Sequence, residues 1–139
     1  YERKNVIKEL NNLTKKIKEK YKIDTSVDIM SEGTECFFNR DENHIEYSLS
    51  MIKEGEKESQ YRCKYEKVNL KDFYKFVLLH ELYHAIDYKN NKHKFNKEFT
   101  NMNVELYFTD GKYHDNRPFE KRADKFANSE LKKIKQKRR

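Results

Sequence analysis

Residues 69–90 read NLKDFYKFVLLHELYHAIDYKN, and this stretch decides the fold. From Phe73 to Ile86, apolar residues fall at helical spacing on nearly every face: Phe73, Phe76, Val77, Leu78, Leu79, Leu82, Tyr83, Ala85 and Ile86. A helix that is apolar all round is a buried central helix. Asn69 is placed to cap it, with Asp72 three residues on in a variant of the capping box. No Gly or Pro interrupts it, and Asn90-Asn91 ends it. Inside it lies the pentad His80-Glu81-Leu82-Tyr83-His84, an HExxH pattern. Residues i and i+4 stand one above the other on a helix, so both imidazoles project from one face and can share a metal ion. Glu81, one position round, can meet a water on that metal. With 5 His in 139 residues, accidental matches are expected only about 0.02 times, so the pattern carries meaning. A buried polar group left unsatisfied costs roughly 1–3 kcal/mol, so two His and a Glu in one buried turn call for a shared partner. The alternative is a pair of core histidines bonded to backbone carbonyls.

A catalytic zinc takes three protein ligands and keeps one position for water. The best candidate for the third lies 36 residues downstream, in the segment Arg117 to Ala127. Asn116 is expected to cap this helix, with Pro118 in its first turn, where a missing N–H costs little. Phe119, Ala123, Phe126, Ala127, Leu131 and Ile134 form a stripe of helical period, so the segment packs on the core. Glu120 and Asp124, spaced i, i+4 at the stripe's edge, can act together. Glu120 can reach the metal while Asp124 accepts the free N–H of a ligand imidazole, fixing its tautomer.

HExxH followed by a helix reading ExxxD is the gluzincin arrangement, and the string Glu-x-x-Ala-Asp-x-Phe-Ala resembles the third-ligand helix of the ImmA/IrrE-type metallopeptidases. The resemblance spans residues 70–131 through its motifs and the upstream segments through the order of elements. It implies His80, His84 and Glu120 as zinc (Zn2+) ligands and Glu81 as general base. It also implies a protein substrate, namely a helix-turn-helix transcriptional repressor supplied as a separate polypeptide. Tyr83 stands where a Gly is frequent in that family, so packing beside the site is bulkier. Two rival ligand sets compete with this one. The metzincin offsets hold Asp87 and Asn90 and exclude that class. A SprT-like protease acting on DNA-bound proteins would use His93, but that leaves the Glu120/Asp124 helix unexplained; solvent exposure is the ordinary expectation for His93 in its Lys/Asn-rich surroundings. A zinc-stabilised binding or anti-repressor module without turnover is a further alternative, although a purely structural site has no need of Glu81. Mn or Fe can occupy such sites, with zinc the default for His/His/Glu. An oxyanion also needs a donor beyond the metal. Tyr107, Tyr113 and His114 precede the third-ligand helix and are the candidates, against the ordinary packing role of each.

At 139 residues the chain is expected to form one domain, 1–139, with a basic tail at 132–139. Charged residues make up 40% and hydrophobic ones 35%, so a solvated surface must enclose a core built largely from 10 Tyr and 9 Phe. Three Gly and one Pro favour helices over long loops. No apolar run reaches the ~18 residues of a membrane span, and no secretory signal is visible at the amino end. The first residue is not Met, so trimming before Tyr1 is the expectation and a leader there stays an open alternative. Cys36 and Cys63 lack CxxC spacing and read as two buried thiols of a reducing cytoplasm. The net charge of +7 gathers at the C-terminus, and we read it as a solvated tail rather than a nucleic-acid contact. A composition rich in Lys, Asn, Ile and Tyr fits an AT-rich genome, such as a bacterium or its phage.

The fold expected is a compact zincin-like α+β domain. Its order is an N-terminal helix, a small antiparallel sheet, the HExxH helix and a C-terminal third-ligand helix. Val6, Leu10, Leu13 and Ile17 predict an amphipathic helix over 2–21. Strands are expected from Val27 and at Cys36–Phe38, with a turn at 41–43 between the second and third. Ile45, Tyr47, Leu49 and Met51 alternate with polar residues, which predicts a half-buried strand over 44–51, the candidate edge for pairing with an extended substrate. Residues 54–60 read as a polar loop and Tyr61, Cys63 and Tyr65 as a further strand. Residues 90–102 read as loop, 104–108 as extended, and Asp110-Gly111 as a turn.

Overall fold

A computed structural model describes residues 3–59 and 69–137. α1 (Arg3–Tyr21) turns Val6, Leu10 and Ile17 into the core, as their spacing predicts. It stops at Lys22, whose φ of 59° lies in the left-handed region. Ile23 N–H then donates back to Lys18 O at 3.1 Å, which satisfies a terminal carbonyl in the Schellman manner, and Ile23 itself is buried. Lys89 Nζ donates to the Lys22 carbonyl, fastening this corner to the central helix.

Three strands follow: β1 (Ser26–Met30), β2 (Phe37–Asn39) and β3 (His44–Ser48). Their spatial order is β1-β3-β2, with β1 parallel and β2 antiparallel to β3. The sheet is therefore mixed, not antiparallel, and the strand expected at its edge is its centre. Burial explains the placement: Ile45 and Tyr47 are both 0% exposed, so β3 needs a neighbour on each side. Asn43 closes the β2–β3 turn with φ 52°, a conformation Asn tolerates better than most residues. Its side chain bonds Thr25 and Asp24.

The alternation beyond Ser48 misleads. Residues 49–51 leave the sheet and start α2 (Leu49–Ser59). Leu49 and Ile52 point inward three residues apart while Met51 is 43% exposed, a helical rather than a pleated pattern. The polar run after Ile52 continues that helix through Ser59 instead of forming a loop. Ser50 N–H donates to Ser31 O at 3.0 Å, and Ser50 Oγ meets both N–H and C=O of Gly33. A Cβ at Gly33 would collide with the Ser48 side chain and Met30 Sδ, so this approach requires glycine. The strand expected around Tyr61, Cys63 and Tyr65 lies outside the described residues.

α3 (Leu70–Asn90) is the central helix, with the Asn69 side chain accepting from Asp72 N–H as anticipated. Leu78, Leu79 and Leu82 are 0% exposed. Three short helices replace the expected loop, strand and turn: α4 (Lys92–Thr100), α5 (Val104–Thr109) and α6 (Gly111–Asp115). Phe95 and Phe99 lie one turn apart on α4. Phe95 joins Met102 and Phe119 in a second apolar cluster, flanked by Tyr88, Phe99, Tyr107 and Tyr113. Asn103 and Asp110 cap α5 and α6, each accepting backbone N–H bonds from the first turn. α7 (Pro118–Lys137) packs along α3. Asn116 does not cap it; it closes α6, its amide donating to Lys112 O. The basic tail is helical through Lys137, with Lys135 reaching Asp72 at 3.5 Å. Among the described residues no helix is long and apolar enough to cross a membrane.

Tyr21 ties the end of α1 to α7. Its hydroxyl donates to Glu130 Oε1 at 2.5 Å, beside the Lys20 amine, and its ring meets Phe126 edge-on at 5.2 Å. Burial pushes the Glu130 carboxyl up, but the Tyr21 bond and the charges of Lys20 and Lys133 outweigh it and hold the pKa low. Burial and the Glu130 carboxylate push the Tyr21 phenol up to about 12. A carboxyl lowered by folding stabilises above its unfolded pKa, and this is lost as pH falls through the lowered value. A phenol raised by folding stabilises below its unfolded pKa, lost as pH rises toward the raised one. Replacing Tyr21 by Phe keeps the ring contact and removes the bond. Urea denaturation at neutral pH should show a loss of about 1.5–3 kcal/mol. The loss should shrink in acid and in strong alkali; a constant difference across pH would contradict the assignment.

Candidate metal centre

His80, Glu81 and His84 are all buried on α3, and one ligand-capable atom from each falls within 4.8 Å of the others. One face of a helix delivers the two rings, stacked edge to face with centroids 4.7 Å apart. α7 supplies the third direction. Glu120 is 2% exposed, and its Oε1 lies 3.1 Å from His80 Nε2 and in contact with His84 Nε2. The two Nε2 atoms are 3.2 Å apart. Three donors at Zn–N or Zn–O distances of 2.0–2.2 Å in a tetrahedron stand about 3.3–3.6 Å from one another, a little beyond the two distances from His80 Nε2, while Glu120 and His84 sit closer together.

Hydrogen bonding supports the fit. Asp124, one turn beyond Glu120, accepts from His80 Nδ1 at 2.8 Å. With the proton on Nδ1, the Nε2 lone pair is bare and faces a carboxylate oxygen. Two such acceptors repel unless a cation or a proton lies between them. His84 has no equivalent: its Nδ1 is buried and has no hydrogen-bond partner among the described residues. Packing orients this ring instead, between Phe95 and Phe119 at centroid distances of 6.1 and 5.8 Å.

The second oxygen of Glu120 is also held. His114 Nε2 lies 2.8 Å from Oε2, and the Tyr107 hydroxyl donates to it at 3.2 Å. Burial opposes ionisation of Glu120, but the charges of His84 and His80 and the bonds from His114 and His80 prevail. The carboxyl is held well below the usual carboxylate range. Helices α5 and α6 bury no residue of their own. Tyr107 and His114 thus attach that segment directly to Glu120.

Beside the histidines opens a cleft of about 250 Å³ reached by His80, Glu81 and His114. Its walls are apolar: Met51 and Ile52 of α2, and Phe73, Phe76 and Val77 of α3, with Cys36 just before β2. Glu81 Oε2 lies 3.8 Å from His80 Nε2 on this open side. A carboxylate next to two imidazoles at the mouth of an apolar cleft can move protons at a group bound there.

The residues singled out in the sequence separate clearly. His80, Glu81, His84, Glu120 and Asp124 come together, and His114 joins them. Tyr113 does not: its hydroxyl accepts from Asn103 N–H at 2.7 Å and its ring packs near Arg117. His93 is exposed on α4, outside the cluster. Cys36 is half-buried in the cleft wall rather than in the core, and Cys63 lies outside the described residues. One element escaped sequence analysis. Arg122, between Glu120 and Asp124, donates through Nε and Nη2 to Asp87 Oδ2 at 3.1 and 2.7 Å, and through Nη1 to Glu98. Asp87 is three residues past His84 and its side chain is 0% exposed. This bridge fixes α7 against α3 and α4 beside the centre. An arginine on an amphipathic helix beside an Asp in an apolar one was the available signal.

Arg122→Met should cost about 3–5 kcal/mol in urea denaturation, because it leaves the Asp87 carboxylate buried and unpaired. Adding Asp87→Asn should restore part of that. A single variant as stable as wild type would show the bridge to be dispensable. No family model, curated protein or solved structure matches this chain.

Proposed function

We propose that this chain is a zinc-dependent endopeptidase of zincin type, with His80, His84 and Glu120 as metal ligands and Glu81 as the general base. The observation that carries it is the convergence of two helix α3 imidazoles and one helix α7 carboxylate beside a cleft that His80 and Glu81 line. Zinc held there would polarise a scissile carbonyl and acidify the attacking water. Glu81 accepts the proton of that water and delivers it to the departing amine, so one carboxyl serves as base and then as acid. Asp124 keeps the His80 ring in the tautomer that presents Nε2. His114 and Tyr107 hold the Glu120 carboxylate in place. Both nitrogens of His114 are engaged, Nδ1 with Asp115 and Nε2 with Glu120, so its role is to brace the ligand rather than to donate to an oxyanion.

The substrate is a protein. An extended peptide would add to the outer edge of β2, since Cys36, the residue before it, lines the cleft and β3 is covered on both sides. The apolar cleft walls would receive one hydrophobic side chain next to the scissile bond. The resemblance to ImmA/IrrE-type enzymes makes a helix-turn-helix repressor the first substrate to try. His93, exposed on α4, offers nothing to a SprT-like ligand set.

Metal analysis and digestion of a proteome-derived peptide library test this together. Wild type and Glu81→Gln should each carry one zinc per chain. Cleavage by Glu81→Gln should fall about 10²–10⁴-fold. Glu120→Ala should lose the metal and His93→Ala should keep it. Undiminished cleavage by Glu81→Gln, or full zinc in Glu120→Ala, would falsify the assignment. Zinc without any cleavage by wild type would favour a binding module.

A further inference from the structure

The positive charge of the chain is not spread evenly. α1 carries seven Lys or Arg against two Glu, and α7 carries seven against three acidic residues. These two helices therefore hold more positive charge than the +7 of the entire sequence. Between them runs a groove of about 460 Å³. Lys16 and Lys20 form a row one turn apart on the α1 side, and Lys133 and Lys137 a matching row on the α7 side. Leu13, Ile17 and Ile134 make an apolar floor continuous with the main core.

The acidic groups in the groove are already engaged. Glu130 takes the Tyr21 hydroxyl and the amines of Lys20 and Lys133. Glu9 takes Lys71 at 2.8 Å and the nearly buried Lys75 at 3.6 Å. Lys16 and Lys137 are exposed and form no ion pair among the described residues. The groove thus combines an apolar strip with uncompensated cations along both sides.

We propose that this groove docks an acidic amphipathic helix from a partner protein. Its apolar stripe would lie on Leu13, Ile17 and Ile134, and carboxylates on either flank would meet the two lysine rows. A third helix seated between two others buries a stripe of anchors at i, i+3 and i+4, which would run along a floor made by Leu13 and Ile17, one turn apart on α1, and by Ile134 on α7. A nucleic-acid backbone would use the amines but gain nothing from the apolar floor, and its phosphates would lie against Glu9 and Glu130. Lysine, a mobile point charge on a long stem, suits carboxylates without demanding a fixed fork geometry. The groove shares no lining residue with the cleft at His80 and Glu81, so a docked partner leaves that cleft open. The inference is independent of whether the centre holds zinc or cleaves anything.

The test uses the full chain and a fluorescein-labelled helix-forming peptide of about 18 residues, five turns, with Leu at i, i+3 and i+4 and Glu on both flanks. Anisotropy should show binding that weakens with added salt, and NMR shifts should centre on the Leu13, Ile17 and Ile134 methyls. Lys16→Glu with Lys137→Glu should weaken binding about tenfold or more while leaving the circular dichroism unchanged. Should that charge-reversed chain misfold, the Lys16→Gln/Lys137→Gln chain gives the same comparison. Ile134→Ser should weaken the peptide without altering the salt response. The proposal is overturned by any of four results. These are no binding, equal binding of a scrambled peptide of the same composition, tighter binding of duplex DNA through the same lysines, or self-association abolished by the lysine substitutions.

Discussion

A carboxylate buried between two imidazoles is the constraint on which the rest of this structure depends. Glu120 is withdrawn from water, and taking such a charge out of solvent costs several kcal/mol unless compensation is close and complete. Here the compensation needs a cation or a proton shared with His80 and His84 at one oxygen, and comes from His114 and Tyr107 at the other. That arrangement demands that α3 and α7 lie against each other in one register. The Arg122 bridge to Asp87 beside the centre and the Tyr21 bond to Glu130 farther along hold that register at two points.

The two apolar clusters divide the labour. The larger one, around Leu78, Leu79, Leu82, Ile45 and Tyr47, seats α3 against the sheet and α1. The smaller aromatic one packs behind His84 and sets its ring by shape, since that ring's Nδ1 has no polar partner among the described residues. Arg40 assists by reaching from the β2–β3 turn to Asn96 and over the Phe99 ring, which draws α4 onto the sheet. The segment holding α5 and α6 depends on the centre in turn. It exposes Val104, Leu106 and Phe108, and touches Glu120 through Tyr107 and His114. Placement of that segment and of the two α3 imidazoles are therefore linked through one carboxylate.

Much of this was legible in the primary structure. The buried central helix, its Asn69 cap, the pairing of His80 with His84 and the partnership of Glu120 with Asp124 follow from helical periodicity. Residues three or four apart share a face whatever surrounds them. The same local logic gives α1, α7, β1 and the Asn43 turn. What failed was local too. Residues 44–51 alternate in polarity, yet the strand stops at Ser48 because Leu49 and Ile52 find the core along a helix instead. Short helices α4 to α6 carry too few periodic residues to announce themselves, although Asn103 and Asp110 are ordinary capping types.

Which side chains share each helix face follows from local residue spacing, because that depends only on the pitch of the backbone. The folded molecule decided which faces meet. It placed β3 at the centre of a mixed sheet, buried Asp87 against Arg122, turned Tyr113 away and brought His114 to Glu120. It also gathered lysines from opposite ends of the chain along one groove. Each of these is a contact between segments far apart in sequence, settled by the competition for buried area and for compensation of buried charge, which no local spacing encodes.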